Sequence, residues 1–189
     1  MANTFLKRII ILTIFYLFLS SNIFAHPHIT VQAYSYNFFN DKGLQGIYMQ
    51  WEFDPMFSSQ LLYNYDINED MEFTAEETKE LKEKYFNILV DGGYYTKIKI
   101  NDKKISNPLP VSFKATVDKE DEVLIMSFFV PLNVPYSKNS SIYYSVSDDT
   151  SYTAFFIPQQ NLRNKGTNFK ITQKHINKFG EISYSFTKG

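Results

Sequence analysis

Six carboxylates and no basic side chain crowd into the twelve residues Asp66-Ile67-Asn68-Glu69-Asp70-Met71-Glu72-Phe73-Thr74-Ala75-Glu76-Glu77. Self-repulsion makes such a stretch costly to fold unless a cation or water relieves it. Oxygen-bearing side chains stand at positions 1, 3, 5 and 12 of this stretch, the spacing with which an EF-hand loop encloses calcium between two helices. In that template Asp66, Asn68 and Asp70 give side-chain oxygens, and Glu72 gives its backbone carbonyl. Thr74 acts directly or through water, and Glu77 closes the sphere with both oxygens. Met71 departs from the pattern at position 6, where glycine is usual because a left-handed backbone costs an L-residue about 1–2 kcal/mol. The same residues also suit a solvated acidic turn whose carboxylates favour the start of the following helix.

The chain on either side reads as sheet. Ile29 to Phe38 and Leu44 to Phe53 alternate apolar and polar residues around the turn Asn40-Asp41-Lys42-Gly43, the pattern of a half-buried hairpin. Its inner face is Ile47, Met49, Trp51 and Phe53. Asp54-Pro55 begins a helix with Phe57, Leu61 and Tyr65 inward, since aspartate caps free N–H groups and proline suits the first helical position. Thr74 and Glu77 have the spacing of a capping box, which opens a second helix over 75–90 with Leu81, Tyr85, Ile88 and Leu89 as its apolar stripe. After Gly92-Gly93 the pattern predicts short strands at 94–100, 111–117, 123–130, 141–146, 152–157, 169–172 and 182–186. The expected fold class is α+β: predominantly antiparallel β, sandwich-like, with an EF-hand-like helix-loop-helix insertion at about 54–90.

The first residues point outward from the cytoplasm. Lys7-Arg8, an apolar run from Ile9 to Leu19, and a polar stretch ending in Ala25 have the three regions of a signal peptide over residues 1–25. The run is too short to persist as a membrane span, so no permanent anchor is expected after cleavage. Residues 26–189 then form a single metal-binding domain. Without cysteine there are no disulfides, thiolate metal sites or lipid-modified cysteine, and stability rests on burial, for which 14 tyrosines and 18 phenylalanines supply area. A net charge of −1 with no basic, aromatic-interleaved patch argues against a nucleic-acid partner. The sequence lacks a nucleophile elbow, a phosphate-cradling glycine loop, a dinucleotide fingerprint and a metalloprotease helix, so no enzyme is expected.

Cleavage after Ala25 would expose His26, whose amine and ring nitrogen can chelate one ion, with His28 two residues on. Residues i and i+2 of an extended segment share a face, and such nitrogen ligands suit copper, nickel, zinc or cobalt. Pro27 has no N–H to contribute, so another ligand such as Asp148 or His175 is needed. Two surface histidines that merely follow a cleavage site are the plainer reading.

Several of these segments together resemble one family. They are Ala25-His26-Pro27-His28-Ile29, Trp51-Glu52-Phe53-Asp54 with Phe57, the Asp66/Asn68/Asp70 loop, Tyr95-Thr96, and Val146-Ser147-Asp148-Asp149-Thr150. The resemblance is to a widespread group of uncharacterised periplasmic proteins, often described as periplasmic components of an ABC-type transport system and found with nickel/cobalt-type transporters. It implies a periplasmic location and a membrane metal transporter as partner. It also implies His26, His28 and Asp148 as ligands of a transported ion, and the loop as a calcium site. This chain departs from the family pattern at Met71, where glycine is usual, and at Asp149, where proline is frequent. An extracytoplasmic interaction module with a purely structural calcium loop is the alternative function.

Overall fold

The computed structural model describes residues 28–106, 109–137, 140–157, 162–166, 169–176 and 181–188. The predicted signal peptide, 1–25, and His26 lie outside the described residues.

The hairpin forms where the alternation places it. Strand β1 (Ile29–Asn40) pairs antiparallel with β2 (Gly43–Phe53), and Ile47, Met49, Trp51 and Phe53 are all buried. Gly43 makes the turn with φ +143°, and an added Cβ there would stand 2.2 Å from the Val134 carbonyl oxygen. Helix α1 (Pro55–Tyr65) follows, capped by Asp54, and α2 (Ala75–Leu81) begins beyond the acidic loop. The remaining strands are β3 (Thr96–Ile100), β4 (Lys103–Ile105), β5 (Val111–Asp118), β6 (Val123–Pro135), β7 (Ser141–Val146), β8 (Thr153–Phe156), β9 (Leu162–Lys165), β10 (Phe169–Ile176) and β11 (Glu181–Lys188).

Two sheets result. One runs β5-β6-β2-β1-β8 with β9 also on β1, and the other runs β10-β11-β7-β3-β4. Their inner faces meet: the Ser35 and Tyr144 hydroxyls are 2.6 Å apart, and the Tyr184 hydroxyl donates to Asn37 Oδ1 at 2.9 Å. The fold is thus β-rich, with two sheets dominated by antiparallel pairs and two short α-helices among the described residues.

Two strands depart from the antiparallel majority: β8 and β9 both lie parallel to β1. Parallel neighbours need a crossover, and the connection from β7 to β8 supplies one by passing from the second sheet to the first. The second helix does not run regularly to residue 90: α2 gives way to an i→i+5 turn at Lys82–Phe86 and then a 3₁₀ segment, Asn87–Val90. The wide turn brings Phe86 into line with Leu81, so Phe86 is buried and Ile88 is exposed. Finally β3 starts at Thr96, because Tyr94 and Tyr95 adopt left-handed backbone in the preceding 3₁₀ turn.

The core is aromatic. The Trp51 ring lies 4.8 Å from Phe128, 5.3 Å from Phe155 and 6.1 Å from both Phe86 and Tyr95. It joins β2 to β6, β8 and the segment after α2.

Candidate cation-binding loop

Helix α1 is fastened to the first sheet at both its start and its middle. Asp54 Oδ1 accepts the Phe57 N–H at 2.9 Å as an N-cap, while Oδ2 accepts the Thr30 N–H of β1 at 2.7 Å. Asp54 also donates its own N–H to the Thr30 carbonyl at 2.9 Å. One turn on, the buried Ser58 hydroxyl accepts the Leu124 N–H of β6 at 2.9 Å and donates to the Phe53 carbonyl at 3.3 Å. These bonds anchor the helix that leads into the acidic loop to the sheet.

The loop closes on its own backbone. Asp66 Oδ1 accepts the Asp70 N–H at 3.3 Å, and Oδ2 accepts the Met71 N–H at 2.9 Å. Asp70 Oδ1 accepts the Glu72 N–H, and Oδ2 accepts from the Asn68 amide, each at 2.8 Å. Glu77 Oε1 accepts the Ile67 N–H at 2.8 Å; Oε2 accepts the N–H and hydroxyl of Thr74 at 2.9 and 2.8 Å. The capping box is complete, since the Thr74 hydroxyl accepts the Glu77 N–H in return at 3.2 Å. Glu69 and Met71 take φ of 57° and 59°, so the sharp turn at position 6 forms with methionine in place of glycine.

Asp66 and Glu77 are only 5% and 6% exposed, the two carboxylates of the loop that leave solvent. Neither belongs to an ion pair among the described residues. Lys119, in the turn between β5 and β6, is the basic side chain that reaches the loop, with its Nζ 2.7 Å from Glu72 Oε1 and 3.4 Å from the Asp70 carbonyl. Sequence reasoning missed it, although Lys119 stands alone among acids in Asp118-Lys119-Glu120-Asp121-Glu122.

Donation from the Thr74 N–H and hydroxyl outweighs desolvation and, with the Ile67 and Asn68 N–H groups, holds Glu77 below its ordinary value of 4.5. A carboxyl lowered by folding contributes stability that is present above the unfolded-state value and is lost as pH falls through the folded-state value. Stability is therefore expected to decline on acidification below about pH 4.5. Denaturant titrations at stepped pH should show a shallower decline for Glu77→Gln, and an unchanged slope would remove this contribution.

As placed, no three His, Asp or Glu side chains among the described residues stand close enough to share one metal ion. Carboxylate oxygens accept more than one partner, so hydrogen bonding to N–H groups leaves the loop oxygens with lone pairs for a cation.

The second predicted group is brought together in part. His28 is exposed, donates its N–H to the Tyr152 carbonyl at 2.8 Å, and sets its ring 4.9 Å from that of Tyr152. Asp148 borders the same segment. Its Oδ1 accepts from the N–H and hydroxyl of Thr150 at 2.8 and 2.7 Å, and its Oδ2 accepts the Thr153 N–H at 3.0 Å. Desolvation opposes its charge, but these donors outweigh it and hold the carboxyl below the usual range. Both oxygens are thus engaged in the turn that delivers β8 to β1. Asp149 is exposed and ion-paired with Lys97. His175 lies on β10, paired with Ser183 of β11 in the second sheet.

A family model described as "Protein of unknown function (DUF1007)" matches residues 11–178. An uncharacterised 15.5 kDa protein in the trpE 3′ region of Spirochaeta aurantia is 30% identical over 93 residues, 49% of this chain. The chain spans 65% of that relative's length. No solved structure matches.

Proposed function

This chain belongs to the DUF1007 family of proteins of unknown function, and from that premise and the loop geometry we infer that it is an exported, periplasmic, non-enzymatic divalent-metal-binding accessory protein. In this reading the loop is a structural calcium site, held by the side chains of Asp66, Asn68, Asp70 and Glu77 and the carbonyl of Glu72. His26 and His28 with Asp148 present a transition metal of the nickel or cobalt type, or zinc or copper, to a membrane transporter. The observation that carries the reading is the burial of Asp66 and Glu77 with N–H groups and the Thr74 hydroxyl, but no basic side chain among the described residues, as partners. Buried charges are ordinarily paired or bound to metal, and an all-oxygen donor set suits a hard cation. The left-handed backbone already formed at Met71 supports the same conclusion.

Extracytoplasmic calcium modules bind with dissociation constants of about 10⁻⁴–10⁻³ M. Calcium at about 10 mM is then expected to stabilise the fold by about 1.4–2.7 kcal/mol relative to chelator. Thermal melts of wild type and of Asp66→Asn/Glu77→Gln check this, and curves that superimpose with and without calcium would end the calcium reading. For the second site, calorimetric titration with nickel, cobalt, zinc and copper should give heats that His26→Ala/His28→Ala loses. Heats that the double variant leaves unchanged would remove that site.

A further inference from the structure

The solvent face of α1 carries large apolar side chains that none of the described residues covers. Met56 is 73% exposed and Tyr63 is 89% exposed; Ile67, just past the helix, is 72% exposed. Met56 and Tyr63 stand seven residues apart, so they share one helix face and span about 10 Å. Exposed apolar stripes rimmed by polar groups mark interaction surfaces.

Beside this stripe lies a cleft of about 380 Å³, with Leu62, Tyr63 and Met71 as its apolar lining and Asp66, Glu69 and Glu122 as its acids. None of the three acids has a basic partner among the described residues. Glu69, Met71 and Glu122 take φ of 57°, 59° and 54°, and a left-handed backbone costs an ordinary residue about 1–2 kcal/mol. These turns set two glutamates and a flexible thioether at the rim of the cleft.

The geometry points to a docking surface for a basic, amphipathic segment of another protein, with an arginine or lysine seated between the exposed Glu69 and Glu122 and apolar residues laid over Tyr63, Met56 and Ile67. Charge complementarity sets the sign of the occupant. A lone metal ion or small amine would satisfy the acids but leave the stripe along α1 bare, so the ligand is a chain segment. The protein has a basic surface of its own, with exposed Lys97, Lys99, Lys103 and Lys104 on β3 and β4. Copy-to-copy docking of that edge would be heterologous, closing into a ring or running into a filament, and is an outcome that the test below separates from binding of a different protein.

The inference stands apart from calcium binding and is tested in chelator. An amidated, labelled peptide of about twelve residues, with leucines and arginines at helical spacing, serves as probe. Fluorescence anisotropy at low salt is expected to show saturable binding, weakened about tenfold by Glu69→Gln/Glu122→Gln and comparably by Tyr63→Ala. A glutamine-for-arginine peptide should bind at least about tenfold more weakly. Circular dichroism melts confirm that the surface variants fold. Equal binding by both peptides, binding indifferent to these substitutions, or salt-sensitive self-association competing fully with the peptide would overturn the proposal.

Discussion

Phe86→Ala is expected to lower the free energy of unfolding by about 3–5 kcal/mol, read from urea denaturation midpoints. The ring is buried at the meeting point of four others: Phe113 at 4.6 Å, Tyr94 at 4.8 Å, Phe128 at 5.0 Å and Trp51 at 6.1 Å. Removing it withdraws a side chain from helix, sheet and edge strand together, and close-packed neighbours collapse only partly into such a void. Ile88→Ala is the matched control. A regular helix would bury Ile88 along with Leu81 and Tyr85, but the i→i+5 turn turns it outward, so its loss should change stability by no more than about 0.5 kcal/mol. Comparable losses for the two substitutions would show that the helical phase is not displaced at Lys82–Phe86.

Asn37→Leu should destabilise by up to about 3 kcal/mol, because it removes the acceptor of the Tyr184 hydroxyl in the space between the sheets. Asn37 and Ser35 are fully buried on β1, facing Tyr184 and Tyr144 of the opposite sheet. Burial pushes both tyrosine hydroxyls above their ordinary 10.0, so both stay protonated, and Tyr184 keeps the proton that it donates to Asn37. The double variant Asn37→Leu/Tyr184→Phe removes donor and acceptor together and is expected to recover most of the loss. A double variant as unstable as the sum of its parts would mean that the bond itself contributes little and that shape alone holds the sheets in place. Denaturant unfolding of the two single variants and the double completes the cycle.

What could be read without coordinates was local. The turn at Asn40 to Gly43, the alternation through Ile47, Met49, Trp51 and Phe53, the Asp54 cap and the Thr74/Glu77 box each depend on residues within a few positions of one another. The wide turn after α2 has no such signature, since Lys82-Glu83-Lys84-Tyr85-Phe86 suits an ordinary helix and packing of Phe86 selects the register. Strands β4 and β9 escaped because Lys-Lys-Ile and Leu-Arg-Asn-Lys are too short and polar to show a period. At the acidic loop, the oxygen spacing was legible, whereas its tether was not: Lys119 meets Glu72 across 47 positions of sequence. Asp148 illustrates the same limit, for the donors that its carboxylate meets, Thr150 and Thr153, depend on how the turn into β8 is folded.

Strand β1 meets β8 through Ile29 to Gln32 and β9 through Ser35 to Phe38, so the outer margin of the first strand made is closed by segments made more than a hundred residues later. A chain emerging from its amino end must therefore hold a finished hairpin with one bare margin until nearly all of the polypeptide is available. Long-range closure of this kind slows folding, and an unprotected margin recruits stray strands. Truncation before Leu162 would leave part of that margin permanently open, turning a transient hazard of biosynthesis into a lasting tendency to aggregate.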